Sequence, residues 1–318
     1  MQELLMVVGF MLAAYSIVAN DAIQTLGTFI SSNARRPWWV LWLFASLVLV
    51  VVLLYGWWQS PTGDAAYHRL DSIPLPAGGL SILYLVPPLV ILVLTRFSIP
   101  VSTTFLVLTL FAPSSLGGML VKSLMGYAVA FMLAIVLYRF VIRRTTEYFD
   151  RTQGQPVPGY WVVLQWLATA FLWSQWLIQD LANIFVYLPR AVTPQWMSFA
   201  VITFVLLLGV IFYRNGGEIQ KIVTSKTGTR DIRAATLIDF LYALVLLVFK
   251  EWSHLPMSTT WVFLGLLAGR EFAIAMHMFK PSVQDTARLV RSDAARAALG
   301  LAVSVMLALA LPWLYGLL

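Results

Sequence analysis

Two carboxylates and two hydroxyl triplets recur along this chain at matching intervals. Asp21, within Ala19-Asn20-Asp21, is followed by Pro100-Val101-Ser102-Thr103-Thr104. Asp180, within Gln179-Asp180-Leu181-Ala182-Asn183, is followed by Pro256-Met257-Ser258-Thr259-Thr260. The interval from carboxylate to triplet is 81 residues in the first case and 78 in the second. All four motifs sit in strongly apolar surroundings, where a carboxylate costs at least ~2.5–3.5 kcal/mol on insertion scales. Carboxylate and amide oxygens suit a hard cation such as Na⁺, and a proton on either Asp is the competing possibility. Asn20, Gln24, Gln179 and Asn183 stand beside the carboxylates and offer amide oxygens. Ser and Thr hydroxyls at a helix N-terminus, with its unpaired N–H groups and positive dipole end, suit a tetrahedral oxyanion. The plainer readings are a capped helix end or a protonated Asp, and ordinary capping by each triplet. The paired repetition tells against both.

The electrostatics couple the two ligands. Two ionised carboxylates and a phosphate or sulfate at membrane depth carry about three to four negative charges, prohibitive without compensation. Bound cations cancel that charge, so cation and anion should each raise the other's affinity.

The solvent is set by composition. Of the 318 residues, 60% are hydrophobic and 11% charged, against about 25% charged in an ordinary soluble domain. Apolar runs near the ~20 residues that span a bilayer recur along the chain, and they are too long and uniform for barrel strands. The fold class is therefore an all-α polytopic membrane protein in contact with lipid. Residues 1–18 are apolar but lack a basic n-region, so no cleavable signal peptide is expected. Cys is absent and the three His are scattered, which argues against thiolate or imidazole metal centres. The net charge of +7 is read as basic inward loops, not as nucleic-acid binding.

The elements that must position the motifs follow in order. Leu4 to Phe29 is a span expected to break near Asn20-Asp21. Trp38 to Trp58 is a plain lipid-facing span, and Gln59 to Pro76 a polar loop. Gly79 to Thr95 contains Pro87-Pro88 and is expected to kink. Ile99 to Ala112 is too short to cross and reads as a half-helix or re-entrant segment entering at the first triplet. Gly117 to Val141 follows, ending at Arg143-Arg144. The halves are then 1–144 and 160–318, joined by a short cytoplasmic linker at 145–159. In the second half Trp161 to Tyr187 is expected to be interrupted at Gln179, Asp180 and Asn183. Trp196 to Tyr213 is plain, and a basic loop carries Lys221, Lys226 and Arg230. Ala234 to Phe249 is apolar apart from Asp239, and Leu255 to Gly269 is the short second triplet segment. Lys280 to Arg296 reads as an interfacial helix, and Leu299 to Leu318 as the last span.

With both termini outside, the basic stretches fall inside and the poorly basic loops outside. That gives five membrane segments per half, an odd number, so the halves form an inverted repeat with broken helices meeting at a midplane site, the usual build of a secondary transporter. Asp239 reads as a further ligand, or as a partner of Lys250 or a loop-proximal charge. Lys122 reads as a snorkelling side chain. No G-x-x-x-x-G-K-[ST] occurs, so ATP drive is unsupported. No catalytic residue is expected. A lipid-phosphate phosphatase would need cationic clamps beside a triplet, and the sequence places no Arg there. A passive anion channel is the other rival.

At these residues the chain resembles the inorganic phosphate transporter (PiT) family, whose halves carry G-A-N-D-x-A-N-A and P-V-S-T-T-H. The resemblance rests on Val18-Ala19-Asn20-Asp21-Ala22-Ile23-Gln24, Pro100 to Phe105, Gln179-Asp180-Leu181-Ala182-Asn183 and Pro256 to Trp261, with Gly217-x-x-x-Lys221-x-x-x-Ser225 ahead of the second triplet. Val18 replaces the leading Gly, Gln24 and Gln179 replace one amide in each half, and Phe105 and Trp261 replace the His. The resemblance implies Na⁺- or H⁺-coupled uptake of phosphate, with a sulfate permease as the alternative. It places the cation (Na⁺ on Asp21 and Asp180) with Asn20, Asp21, Asp180 and Asn183, and the anion with Ser102, Thr103, Thr104, Ser258, Thr259 and Thr260. Gln24 and Gln179 fit either job and are grouped with the anion. No cofactor beyond the coupling ion is implied. A homodimer in a bacterial-type inner membrane is the expected setting.

Overall fold

The computed structural model describes residues 1–76, 78–97, 99, 101–137, 148–149, 151–152, 157–216, 220, 231–252 and 257–277, with 291, 295, 298–307, 309–311 and 313. Pro100, Pro256, Arg143-Arg144, most of the 145–159 linker, the Gly217/Lys221/Ser225 motif with Lys226 and Arg230, and nearly all of Lys280–Arg296 lie outside the described residues, as does the Lys250 side chain. Among the described residues all regular structure is helical. Helix α1 (Gln2–Ile17) passes through a wide π turn (Val18–Ala22) into α2 (Ile23–Ser32). Then come α3 (Trp38–Gln59), α4 (Val86–Arg96), a π turn (Thr104–Leu108) that runs into α5 (Thr109–Phe111), and α6 (Leu116–Leu137). The second half holds α7 (Tyr160–Asp180), α8 (Ala182–Phe185), α9 (Pro194–Tyr213), α10 (Ile232–Trp252) and α11 (Thr259–His277). Six of the described helical stretches are long and apolar enough to cross a membrane. The chain is an integral membrane protein.

Helix α3 shows how composition sets the outer wall. Its inner face is Leu41, Ala45, Leu49, Val52, Leu53 and Gly56, while Leu43, Leu47, Val51 and Leu54 face outward. A helix apolar all round belongs where both neighbours, protein and surroundings, are apolar. Helix α9 repeats the pattern with Ile202, Leu206 and Val210 outside, and it packs on α3. Thr193 caps α9, accepting from the Trp196 N–H, with Pro194 in the first turn.

The two Asp-bearing helices run in opposite directions. Gln2, at the start of α1, exchanges hydrogen bonds with Leu80 (3.2 and 2.9 Å). Asn33, just past α2, donates to Gln165 near the start of α7 (3.1 Å). The end of α1 with Gln2 is also where the α3–α4 loop meets the loop after α8: Val192 N donates to Gly63 O (2.9 Å), and Arg190 binds the Ile73 carbonyl through Nε and Nη2 (3.1 and 2.8 Å).

Several expectations need correction. Pro87-Pro88 does not kink a helix: the pair opens α4 after a 3₁₀ turn at Ile82–Leu85, where a missing N–H costs nothing. The first triplet does lead into a short element, because Ala112 (φ −141°, ψ 75°) ends it before Pro113. The second does not, since α11 continues to His277 rather than stopping near Gly269. The interruption at Asp180 is slight. Leu181 alone departs from the helix between α7 and α8, and its N–H still reaches Leu177 O (2.9 Å). The 59–76 loop is not a solvated connection: Ala65, Ala66, Arg69, Leu70 and Ile73 are buried.

Helices α6 and α11 pack along their lengths, and small residues permit it. A Cβ on Gly265 would run into the Tyr127 carbonyl, one on Gly269 into the Phe131 carbonyl, and one on Gly126 into Val262 Cγ2 at 2.9 Å. This is the close approach that small residues four apart allow in membrane helices. Gly265→Ala or Gly269→Ala should cost about 1–3 kcal/mol through overpacking against backbone, read as a lower melting temperature of the detergent-purified protein. Gly117→Ala, with nothing within 4 Å, should leave the melting temperature unchanged.

Candidate functional site

The π turn places Asn20 and Asp21 in the protein interior, both fully buried. A π turn inserts an extra residue into a helix and frequently marks a functional site. Here it accompanies side chains committed sideways. Asn20 Nδ2 donates to Asp21 Oδ1 (2.6 Å) and to the Val101 carbonyl (2.9 Å), while its Oδ1 accepts from Thr95 (3.4 Å). At Asp180 the amide partner is Asn183, three residues on, which donates to Asp180 Oδ1 (2.7 Å). That geometry lies along the helix surface, which accounts for the milder interruption there.

Both triplets begin their helices in the same way. Ser102 Oγ accepts from the Phe105 N–H (3.2 Å), and Ser258 Oγ from the Trp261 N–H (3.4 Å). The plainer reading of the triplets therefore holds for their first hydroxyls, which are N-caps. The remaining hydroxyls reach across. Thr103 donates to Asp21 Oδ2 (2.6 Å) and accepts from Asn183 (3.0 Å), which also reaches Thr104 (3.3 Å). Thr260 lies 3.3 Å from Asp21 Oδ1 and accepts from Gln24 (3.3 Å), and Thr259 lies against Asp180. Each triplet thus meets the Asp-bearing helices of both halves. All six hydroxyl residues, both Asp, Asn20, Asn183, Gln24 and Gln179 are buried, and the two carboxylates are close enough to repel one another.

Four oxygens in this cluster have no hydrogen-bond donor among the described residues: Gln24 Oε1, Gln179 Oε1, Asp180 Oδ2 and Asn183 Oδ1. Buried acceptors of this kind call for an explanation such as an ion. The donor set of carboxylate and amide oxygens fits a hard cation. Among the described residues no three His, Cys, Asp or Glu gather as a transition-metal site would require. Gln179 Nε2 is committed to the Leu246 carbonyl (3.2 Å).

Asp239 is neither loop-proximal nor exposed. It is fully buried and accepts from Thr28 (2.5 Å) on α2, and from Thr169 (2.6 Å) and Gln165 (3.3 Å) on α7. It ties the helices that carry Asp21 and Asp180 together, on the side away from the α3–α4 loop. Sequence reading left its role open because the three partners lie on two other helices.

Two cations were missed or misjudged. Arg69, from the α3–α4 loop, is buried and donates through Nε to the Ile178 carbonyl (2.8 Å), two residues before Asp180. Lys122 does not snorkel: it is buried on α6 and feels the charge of Arg69. Its neighbour Ser123 accepts from the Ser258 N–H (2.8 Å) at the head of the second triplet. The fully buried Tyr242, whose hydroxyl donates to Thr259 O (2.9 Å), was also missed. A lone Arg in a polar loop and a lone Tyr in an apolar run carry no signal of this placement.

The architecture has a solved counterpart. The chain is similar over 99% of its length to all of a structure described as the sodium-dependent phosphate transporter, with a TM-score of 0.66 and 14% sequence identity. At that identity the likeness establishes the fold. No protein-family model and no curated protein sequence matches the chain.

Thr103 joins Asp21 on one Asp-bearing helix to Asn183 on the other, and the site should depend on it. Thr103→Val removes a donor to buried Asp21 and an acceptor for Asn183, at a cost of about 1.5–3 kcal/mol for the charged partner. The expected result is a clear fall in melting temperature, with Thr103→Ser close to wild type.

Proposed function

We propose that this protein is a cation-coupled secondary transporter of a small tetrahedral oxyanion, with phosphate as substrate and Na⁺ as the coupling ion. The observation that carries the reading is the single buried cluster in which Asp21 and Asp180 meet both Ser-Thr-Thr triplets. Hydroxyls and helix N-termini supply donors for the anion, and the undonated oxygens of Gln24, Gln179, Asp180 and Asn183 supply cation ligands. Amide oxygens take up no proton near neutral pH, which favours Na⁺ over H⁺ alone. Phosphate retains a hydroxyl that can donate to such an acceptor, whereas sulfate at neutral pH cannot, which favours phosphate. The fold neighbour, a sodium-dependent phosphate transporter, supports the same assignment.

In this reading the oppositely directed Asp helices belong to two inverted repeats, and alternating access moves one bundle against the other around the cluster. The end with Gln2, the α3–α4 loop and Arg190 faces outward. The Na⁺ charge offsets carboxylates and anion together, so neither ligand binds well alone.

Labelled uptake into proteoliposomes tests this, comparing phosphate with sulfate, with and without an inward Na⁺ gradient at fixed pH. Na⁺-dependent phosphate uptake is expected, and Asp21→Asn or Asp180→Asn should abolish it. Uptake indifferent to every cation gradient would replace the reading with a channel. Sulfate uptake that follows a proton gradient would replace it with a proton-coupled sulfate permease. Release of phosphate from a lipid substrate by the purified protein would replace it with a phosphatase. In binding experiments Na⁺ should raise phosphate affinity about 5- to 150-fold, measured by calorimetry in NaCl against choline chloride.

A further inference from the structure

Helices α1, α4 and α9 leave a cavity of about 530 Å³ between them. Its floor is Tyr15 of α1 and Ala19 of the π turn, and its walls include Val93 of α4 and Val210 of α9. Val93 is 57% exposed and Val210 41%, so the cavity opens sideways between the two helices, on the apolar face that meets lipid. Two guanidinium groups stand over it: Arg96 closes α4 and Arg214 follows α9.

A cation at a helix C-terminus is by itself an ordinary complement to the helix dipole. Here two of them line one cavity, and both are exposed. Among the described residues neither forms an ion pair, and no acidic side chain lines the cavity. The depth is marked by Trp38 and Tyr213, the residue before Arg214. Both rings are exposed, and they meet edge to face at 5.5 Å. Aromatic side chains of this kind gather at the boundary between hydrocarbon and headgroups.

The cavity thus joins an apolar slot to a cationic rim at headgroup level. Basic pockets between membrane helices take phosphate headgroups, and guanidinium groups match phosphate oxygens in geometry as well as charge. A free anion on its way to the buried cluster is the other source of phosphate. Against it, Asn20 and Asp21 follow Ala19 directly, yet they are fully buried and do not line the cavity. A free anion also gains nothing from the lipid-facing valines.

We propose that this cavity is a binding site for an anionic phospholipid, its phosphate held between Arg96 and Arg214 and an acyl chain lying along Val93 and Val210. The occupant is one contact away from the buried cluster: Thr95, in the cavity wall, donates to Asn20 (3.4 Å). Binding braces α4 and α9 against the π turn and should stabilise the fold.

The test titrates delipidated, detergent-purified protein with phosphatidylglycerol in phosphate-free buffer and reads the melting temperature, which rises when a ligand binds the folded form. Phosphatidylglycerol should raise it further than phosphatidylcholine, whose headgroup has no net charge. Arg96→Gln and Arg214→Gln should each raise the half-saturating lipid concentration about fivefold, and the double variant about 25-fold. Arg35→Gln removes an exposed charge outside the cavity and should leave that concentration unchanged. Val210→Trp fills the slot while keeping both arginines, and should also weaken the response. Equal responses to the two lipids, or an unchanged midpoint in the double variant, would overturn the proposal. So would Arg35→Gln matching the cavity variants, which reduces the effect to general surface charge. A shift given by inorganic phosphate instead of the lipid, and lost in the double variant, makes the cavity an anion vestibule and sinks the lipid assignment. If the double variant folds poorly, native mass spectrometry of wild type and Val210→Trp decides: wild type should retain phosphatidylglycerol in preference to phosphatidylcholine, and Val210→Trp should not. No readout here involves transport, so the lipid site stands or falls separately from the uptake experiment.

Discussion

Asp21 and Asp180 are fully buried and within reach of each other's charge, and the rest of the site follows from that constraint. Isolated ionised groups in a low-dielectric interior are too costly to keep without compensation. The protein meets the cost with hydroxyls from both triplets and side-chain amides from both Asp helices. Each of these groups lies on a different element, so the helices cannot be repacked independently. The close α6–α11 pair, built on Gly126, Gly265 and Gly269, sets the head of the second triplet against Ser123. The π turn sets Asn20 against Val101, one residue before the first triplet.

Legibility in the sequence followed repetition. The membrane class and the spans at Trp38–Gln59 and Pro194–Tyr213 could be read from composition alone, and the two Asp–triplet pairs from their matching intervals. What could not be read lies in single residues whose partners are distant. Arg69 looks like any loop arginine until the fold buries it against the Ile178 carbonyl. Asp239 takes donors from positions 28, 165 and 169, an arrangement no local pattern encodes. Lys122 was misjudged because lipid is the default surroundings for a lysine in an apolar run, and tertiary packing supplied a different one. The expected proline kink failed for a backbone reason, and the expected break at Asp180 came out slight. Paired prolines are tolerated at a helix start, and a carboxylate–amide pair three residues apart disturbs a helix little.

The hydroxyls carry the last consequence. Thr103 spends its proton on Asp21, and Thr104 donates to the Met257 carbonyl (3.2 Å). Thr260, beside Asp21, is also within hydrogen-bond distance of the Val101 carbonyl (3.1 Å). Under the proposed function, an oxyanion at the triplets would have to win these donors from acceptors the protein already provides. Carbonyl groups are weaker competitors than a carboxylate, because hydrogen bonds to charged partners are roughly twice as strong as neutral ones. Asp21 is thus the chief rival of the anion for Thr103. On the same reading, a cation or proton on Asp21 would weaken that rival and at the same time lower the repulsion an incoming anion meets, so both effects would act in one direction. In the proposed transport reading, coupling between the ligands would need no long-range pathway: it would reside in one carboxylate that shares its hydroxyl donor with the anion.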